Sequence, residues 1–176
     1  MRIRFYEPDV DFQALQRWAG DERTHQLWCA GRIPYPLERE SFDSFLANLD
    51  RARGERPFVA AGEDGTSVGF FCAPTRIAEG EAMLKFIIIA PECRGRGIGR
   101  EMVSRAAARI FAGTNAEAVQ LNVFSVNAPA IRCYEKAGFV KRRITENAFA
   151  FHDELWGRCN MAVSRAAAMP AAGKET

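Results

Sequence analysis

Apolar residues recur every three or four positions through the first third of the chain, which is the pattern of amphipathic helices. A short alternating strand at Arg2–Tyr6 precedes a helix that places Phe12, Leu15 and Trp18 on one face and ends near Gly20. Two further helices are predicted over residues 24–30 and 37–49. Together these segments predict a largely helical N-terminal layer.

The periodicity then changes to the short apolar runs that are typical of β-strands. Three strands with turn residues between them predict an antiparallel meander over 57–61, 67–73 and 83–90. A helix, a strand, a helix and a strand are predicted next, over 98–113, 119–124, 127–137 and 138–144, and a last antiparallel strand over 155–163. This order predicts the α/β (α+β) class, with a mixed, largely antiparallel sheet flanked by helices.

Length and composition indicate one domain. The chain has 176 residues, of which 48% are hydrophobic, and no linker-like stretch divides it. Residues 1–164 are therefore predicted to form a single domain, and the alanine-rich residues 165–176 a disordered tail. A net charge of +2 argues against a nucleic-acid partner. The N-terminus lacks the apolar segment of a signal peptide, and no apolar run spans a membrane, so a cytoplasmic protein with no membrane partner is expected.

Cysteine spacing argues against metal binding. The five cysteines form an odd set without a CxxC pair, which favours free thiols in a reducing compartment over disulfides or a zinc site. His25 and Cys29 lie four residues apart, but two candidate ligands without a third are more often core or surface residues. No metal is expected.

The strongest chemical signal is the glycine-rich run Arg94-Gly-Arg-Gly-Ile-Gly99, which lies between a predicted strand and a predicted helix. Glycines allow backbone N–H groups to turn toward one point, and the following helix directs its positive dipole end to the same point. A P-loop would need Gly-Lys-Ser/Thr, and a dinucleotide fingerprint would need GxGxxG, so both are excluded. An anion site of another kind is therefore predicted, the alternative being a glycine turn with solvated arginines.

This run resembles the Arg/Gln-x-x-Gly-x-Gly/Ala signature of the GNAT superfamily of N-acetyltransferases, in which a proline three residues earlier, here Pro91, is also typical. A second block, which contains Asn127, Ala130, Tyr134 and the pair Gly138-Phe139, is similar to a later motif of the same superfamily. The two matches span about residues 83 to 140. The resemblance implies the single-domain fold of that superfamily, with acetyl-CoA as cosubstrate.

The resemblance also implies which residues hold acetyl-CoA. Amides of the glycine run would bind the pyrophosphate, the arginines would add charge, and the exposed backbone of the third meander strand would bond the pantetheine arm. Asn127 would bond the same arm, although an N-cap role is equally good chemistry for it. The predicted cofactor-binding residues are Ile87, Ile88, Ile89, Arg94, Gly95, Arg96, Gly97, Ile98, Gly99, Arg100 and Asn127.

Tyr134 is the predicted catalytic residue. When an amine attacks the thioester, the leaving CoA thiolate needs a proton, which a nearby phenol can donate as general acid. The alternative is a buried aromatic residue on a short helix. No general base is assigned, because Asn122 and Lys85 stand where some relatives of this superfamily carry an acid, and Glu81 at a strand start is expected to be solvated.

The acceptor is predicted only by class. The N-terminal segment carries Trp18, Trp28, Tyr35 and Phe42, which are expected to be core residues or to line a pocket for a cationic amine, and Asp153-Glu154 is expected to be a turn or to add negative charge there. Transfer of acetyl to a primary amine is predicted, with a small molecule preferred over a protein N-terminus or lysine. A non-catalytic acyl-CoA-binding module and an interaction protein are the alternatives, and a homodimer is compatible with each.

Overall fold

The computed structural model describes residues 1–77 and 79–168, which form a seven-stranded mixed sheet with helices on both faces. The strand order is β1-β2-β3-β4-β5-β7-β6, and β4–β5 is the parallel pair while the other neighbours are antiparallel. The predicted α/β (α+β) class and the antiparallel meander β2–β3–β4 are confirmed.

The elements follow the predicted order closely. The strands are β1 (Arg2–Phe5), β2 (Glu55–Ala61), β3 (Ser67–Pro74), β4 (Glu81–Ile89), β5 (Ala118–Phe124), β6 (Val140–Phe151) and β7 (Glu154–Ser164). The helices are α1 (Pro8–Trp18), α2 (Glu22–Cys29), α3 (Arg39–Arg53), α4 (Ile98–Gly113), α5 (Ala128–Lys136) and α6 (Arg165–Ala168), with one 3₁₀ turn at Pro91–Cys93.

Two hydrophobic cores lie on opposite faces of the sheet. The front core packs α4 and α5 against strand residues such as Leu84 and Val123. The back core packs α1, α2 and α3 against the other face, including Phe70 and Ile88. Since side chains alternate along a strand, neighbouring residues of β4 contribute to different cores, with Ile87 and Ile89 in contact with the front core and Ile88 part of the back core.

The aromatic residues of the N-terminal segment belong mainly to the back core. Trp18, Trp28 and Phe42 are buried, and Trp28 and Phe42 pack around Phe70. Tyr35 differs, because it is 42% exposed and its hydroxyl donates to a backbone carbonyl. The expectation of core packing is thus confirmed for three of the four aromatic residues.

A bulge in β4 separates that strand from β5. The parallel register ends at the pair Leu84–Leu121, and the β3–β4 register shifts at the same level. Phe86 has a positive φ of 51°, which is unusual for a residue with a side chain and turns the strand away from β5. The indole N–H of Trp28 donates to the Phe86 carbonyl at 2.8 Å and so stabilises the bulge from α2.

The β6–β7 hairpin is longer than the sequence indicated. The prediction ended its first strand at Ile144, whereas β6 continues to Phe151 and turns at His152. The prediction was wrong there because an exposed edge strand has no buried face to impose an alternating pattern. The extra length brings the hairpin tip to α2.

The chain beyond β7 begins with a short helix where a disordered tail was expected. The guanidinium of Arg165 caps the end of α4, because it donates to the carbonyls of Phe111, Thr114 and Ala116. Residues 165–168 are therefore packed, and the rest of the predicted tail lies outside the described residues.

Candidate active site

The glycine run forms an uncapped helix start. Gly95 and Gly97 have φ values of 73° and 83°, and a Cβ at either position would meet no atom within 4 Å. Helix α4 begins at Ile98, as predicted, and its first backbone bond runs from Glu101 N to Gly97 O, with no capping side chain in the described part of the protein. The first-turn amides therefore point into open space, which is the arrangement that binds an anion.

Gly99 has a different role, since it allows three elements to pack together. A Cβ there would lie 3.0 Å from the Cys133 sulfur on α5 and 3.5 Å from Ile89 Cγ1 on β4. The absence of that carbon lets the first turn of α4 approach both. The structure thus brings the glycine run, the end of β4 and α5 to one place, as the predicted site requires.

The arginines in and directly after the run differ in their contacts. The Arg94 Nε donates to the Ile89 carbonyl at 3.2 Å, which holds the start of the run against the end of β4. Arg96 and Arg100 are exposed on the surface of the run. Arg94 therefore has a structural contact, whereas the other two side chains are accessible to a bound anion.

The end of β4 has one unpaired edge. On one side Ile88 and Ile89 pair with β3, but on the other side β4 has separated from β5 after Leu84. The side chains of Ile87 and Ile89 pack against the front core, and Ile88 belongs to the back core. Because Ala90 N–H donates to the Val68 carbonyl, the backbone groups of Ile88 also face β3, contrary to the prediction for that residue. The gap between β4 and β5 therefore presents the backbone groups of Ile87 and Ile89 to any chain that lies there.

Tyr134 lies on α5 in the front core. Its side chain is 7% exposed, and its ring centroid is 6.3 Å from that of Phe139. Burial, with a smaller contribution from Cys133, raises the pKa of Tyr134, so the phenol stays protonated at neutral pH. The hydroxyl has no hydrogen-bond partner within residues 1–77 and 79–168, so its proton is not committed to another group of the described chain.

Asn127 caps α5. Its side-chain oxygen accepts from the Ala130 N–H at 3.3 Å, which satisfies one of the amides at the helix start. The cap interpretation is therefore confirmed. The side-chain NH₂ group is not used by this bond and remains available as a donor.

Basic side chains accompany the acidic groups on the strands near the gap. Lys85, at the bulge, binds Glu55 at 2.5 Å, and Glu81 binds Arg142 at 2.5 Å across the sheet. The interpretation of Glu81 as a merely solvated carboxylate was thus incomplete. Asn122 accepts from Asn160 at 3.1 Å. Sequence reasoning missed the Glu55–Lys85 pair, because nothing local signals a contact between residues 30 apart.

The hairpin tip and α2 meet on the back side of the gap. Trp28 ties α2 to β4, while Trp156 packs on Phe124 of β5 with ring centroids 5.2 Å apart. Between them, the guanidinium of Arg23 binds the carboxylate of Glu154 through its two terminal nitrogens, and Nη2 lies 3.0 Å from Oε2. Of the acidic pair, Asp153 lies in the turn, as one of the two expectations had it, whereas Glu154 is the first residue of β7.

The ion pair has a clear effect on Glu154. Hydrogen bonds from Arg23 and then from Trp156 lower the pKa of Glu154 to about 2. A second contact between the same elements joins His152 and Glu22 at 3.4 Å. Helix α2 and the hairpin therefore form a continuous wall behind the gap between β4 and β5.

His25 and Cys29 are core residues. Both are buried, and both contact the Ile33 carbonyl, at 3.0 Å from Nε2 and 3.6 Å from the sulfur. No group of three or more potential metal ligands occurs among the described residues. Within the same residues, no helix is long and apolar enough to cross a membrane.

Comparisons with known proteins agree with this geometry. The model of the Acetyltransferase (GNAT) family matches residues 12–139. Streptothricin acetyltransferase of Streptomyces lavendulae is 39% identical over 94 residues, which are 51% of this chain and 49% of that protein. Spermidine N(1)-acetyltransferase of Vibrio cholerae is 40% identical over 55 residues, 31% of this chain and 32% of that protein. The matched segments thus span about half or less of these curated relatives.

A solved structure covers nearly the whole chain. The spermidine N-acetyltransferase from Vibrio cholerae in complex with CoA and spermine superposes with a TM-score of 0.75 at 20% identity, over 96% of this chain and 97% of that one. The likeness shows that the two proteins share a fold. Because the family model spans most of the chain, including the glycine run, the gap and Tyr134, the protein belongs to the GNAT family of acetyltransferases.

Proposed function

We propose that the protein transfers the acetyl group of acetyl-CoA to a primary amine of a small molecule. The observation that carries the proposal is that an uncapped helix start, an unpaired strand edge and the helix that carries a protonated phenol meet at the glycine run. Family membership and the CoA in the related complex support acetyl-CoA as the donor.

Each group around the gap has a role in the proposed reaction. The first-turn amides of α4, together with Arg96 and Arg100, hold the pyrophosphate, and Asn127 donates its NH₂ group to the pantetheine arm. The backbone groups of Ile87 and Ile89 bond the same arm as an added strand would and orient the thioester. After the neutral amine attacks the carbonyl carbon, the C–S bond breaks and the Tyr134 hydroxyl gives its proton to the leaving thiolate. The positively charged nitrogen of the intermediate then loses one proton, which restores the phenol.

The back wall supports a small acceptor. An acceptor that reaches the gap from the face opposite α4 and α5 meets α2 and the β6–β7 hairpin, which Arg23 and Glu154 join. A folded protein could bring its surface to the gap only if α2 and the hairpin moved apart, whereas a small amine fits beside them. The names of the matched relatives also point to small amines, namely streptothricin and spermidine.

A thiol-release assay with acetyl-CoA tests the proposal. Short alkylamines and diamines are compared with peptides that present either a free N-terminus or a lysine side chain. The expected result is CoA release with at least one class of small amine and background release with the peptides. Release with peptides alone would replace the proposed acceptor class, and tight CoA binding without release from any acceptor would favour the non-catalytic module.

The pH dependence should reflect an acceptor that must lose its own proton. Glu55, Glu81 and Glu154 are each bound to a basic side chain, which stabilises the ionised carboxylate and makes it a weaker base. We expect kcat/KM to rise through and above neutral pH toward the acceptor's pKa. The raised pKa of Tyr134 keeps its phenol protonated over the same range, so that group should cause no alkaline decline. A plateau already reached near pH 6 would instead reveal an efficient base.

The two roles of Asn127 can be separated by substitution. Serine keeps a capping oxygen but removes the NH₂ group, so Asn127→Ser should retain the wild-type free energy of unfolding and weaken CoA binding by roughly threefold to tenfold. Alanine removes both, and should also lower the free energy of unfolding by about 1 kcal/mol. Calorimetric CoA titrations and thermal unfolding of both variants measure the effects. Wild-type CoA affinity in Asn127→Ser would show that Asn127 caps α5 and does not bind CoA.

A further inference from the structure

The guanidinium of Arg23 occupies a site with the chemistry of a cation receptor. Besides the two bonds to Glu154, the guanidinium carbon lies 5.1 Å from the ring centroid of Trp156 and 5.8 Å from that of Phe151. A carboxylate combined with two aromatic rings is the environment that binds alkylammonium and guanidinium groups. We call Phe151, Glu154 and Trp156 the cation cage.

The cage is built from contacts that do not depend on Arg23. The indole N–H of Trp156 donates to Glu154 Oε2 at 2.9 Å, which fixes the carboxylate. The rings of Phe151 and Trp156 lie 4.8 Å apart, and Phe149 packs behind Trp156 at 5.6 Å. Trp156 is fully buried, while the Arg23 side chain is 45% exposed. Removing the arginine would therefore leave a preformed site.

The cage also lies where an acceptor would meet it. It belongs to the wall that joins α2, fixed to β4 by Trp28, to the hairpin over β5. A second positive charge on an acceptor would reach this wall and find the carboxylate already neutralised by Arg23. Two cations cannot share one monovalent carboxylate at contact distance without repulsion.

We propose that Phe151, Glu154 and Trp156 form a cation subsite of the acceptor groove, and that Arg23 fills it and so determines specificity. In the wild-type protein the arginine disfavours acceptors that carry a second cationic group, and acceptors with a single amine are preferred. The binding site itself is independent of the acetyltransferase activity, whereas its effect on acceptor choice rests on the proposed function.

The first test measures binding without activity. The indole N–H signals of the three tryptophans are followed by NMR while methylammonium chloride is added, with sodium chloride at equal ionic strength as reference. Arg23→Ala should show a saturable shift of one signal that is absent from the wild type and from the double variant Arg23→Ala/Glu154→Gln. The absence of such a shift in Arg23→Ala, or an equal shift in the double variant, would overturn the cation subsite.

The second test measures acceptor choice. For Arg23→Ala, kcat/KM for α,ω-diamines of increasing length, relative to monoamines of equal length, should rise about tenfold at the best-fitting length. Arg39→Ala is the matched control, because Arg39 also binds carboxylates and lies over the Phe12 ring, but it does so between α1 and α3. An unchanged ratio in Arg23→Ala, or the same rise in Arg39→Ala, would overturn the specificity role. If no variant acetylates any amine, the proposed function fails while the NMR titration still decides the subsite.

Discussion

Replacing Tyr134 by phenylalanine is expected to lower kcat by about 10²- to 10⁴-fold, which is the usual contribution of a positioned general acid. The substitution keeps the ring and its packing against Phe139. The hydroxyl has no partner within the described part of the chain, so neither the free energy of unfolding nor CoA affinity should change appreciably. Steady-state kinetics, thermal unfolding and CoA calorimetry on the one variant measure all three quantities.

Tyr6 provides the matched control. It is as buried as Tyr134, its hydroxyl also lacks a partner among the described residues, and burial also raises its pKa, but it lies in the back core next to Phe42. Tyr6→Phe should therefore retain wild-type kcat. Wild-type turnover in Tyr134→Phe would remove that residue from the mechanism. A loss of about 1 kcal/mol in stability, with activity that follows the folded fraction, would assign its hydroxyl to a structural hydrogen bond.

A glutamate at position 97 is expected to weaken CoA binding by at least about 100-fold. The new carboxylate would lie among the first-turn amides of α4 and repel the pyrophosphate that those amides hold. Gly97 has a φ of 83°, so any side chain there adds backbone strain of about 1 kcal/mol, but a Cβ meets no neighbouring atom. The protein should therefore remain folded, which thermal unfolding checks.

Gly65 is a suitable control for the same substitution. Its φ is 84°, and a Cβ there also meets no atom within 4 Å, but it lies in the turn between β2 and β3. Gly65→Glu carries the same strain and charge and should bind CoA as the wild type does. Equal CoA affinity in Gly97→Glu and Gly65→Glu, measured by calorimetry, would show that the glycine run does not hold the pyrophosphate.

The parts of the site that the sequence predicted are those set by local chemistry. The start of α4 at Ile98 follows from Gly95 and Gly97 ahead of a helical period, and the α5 cap follows from an asparagine ahead of Ala128-Pro129. The meander was predicted from apolar runs separated by turn residues. Each of these signals lies within a few residues of the feature that it specifies.

The parts that could not be predicted depend on contacts between distant residues. Arg23 and Glu154 are 131 residues apart, and their contact depends on the full length of the β6–β7 hairpin. That length could not be predicted, because β6 is an exposed edge strand without an alternating apolar pattern. The bulge that separates β4 from β5 has Phe86 at a positive φ. A glycine at that position would have indicated the irregular backbone, but a phenylalanine does not. Trp28, whose indole N–H donates to the Phe86 carbonyl, lies on helix α2 and not in the sheet.

The most direct measurement of acetyl transfer to a small amine is the stoichiometry of the two products. The wild-type protein is incubated with acetyl-CoA and the amine that responds best in the thiol-release assay, and the free thiol and the acetylated amine are quantified by absorbance and mass spectrometry. We expect one N-acetylated amine for each CoA released, and neither product from Gly97→Glu at the same concentrations. CoA release without acetylated amine would show that water is the acceptor and would contradict the proposed amine acetyltransferase activity.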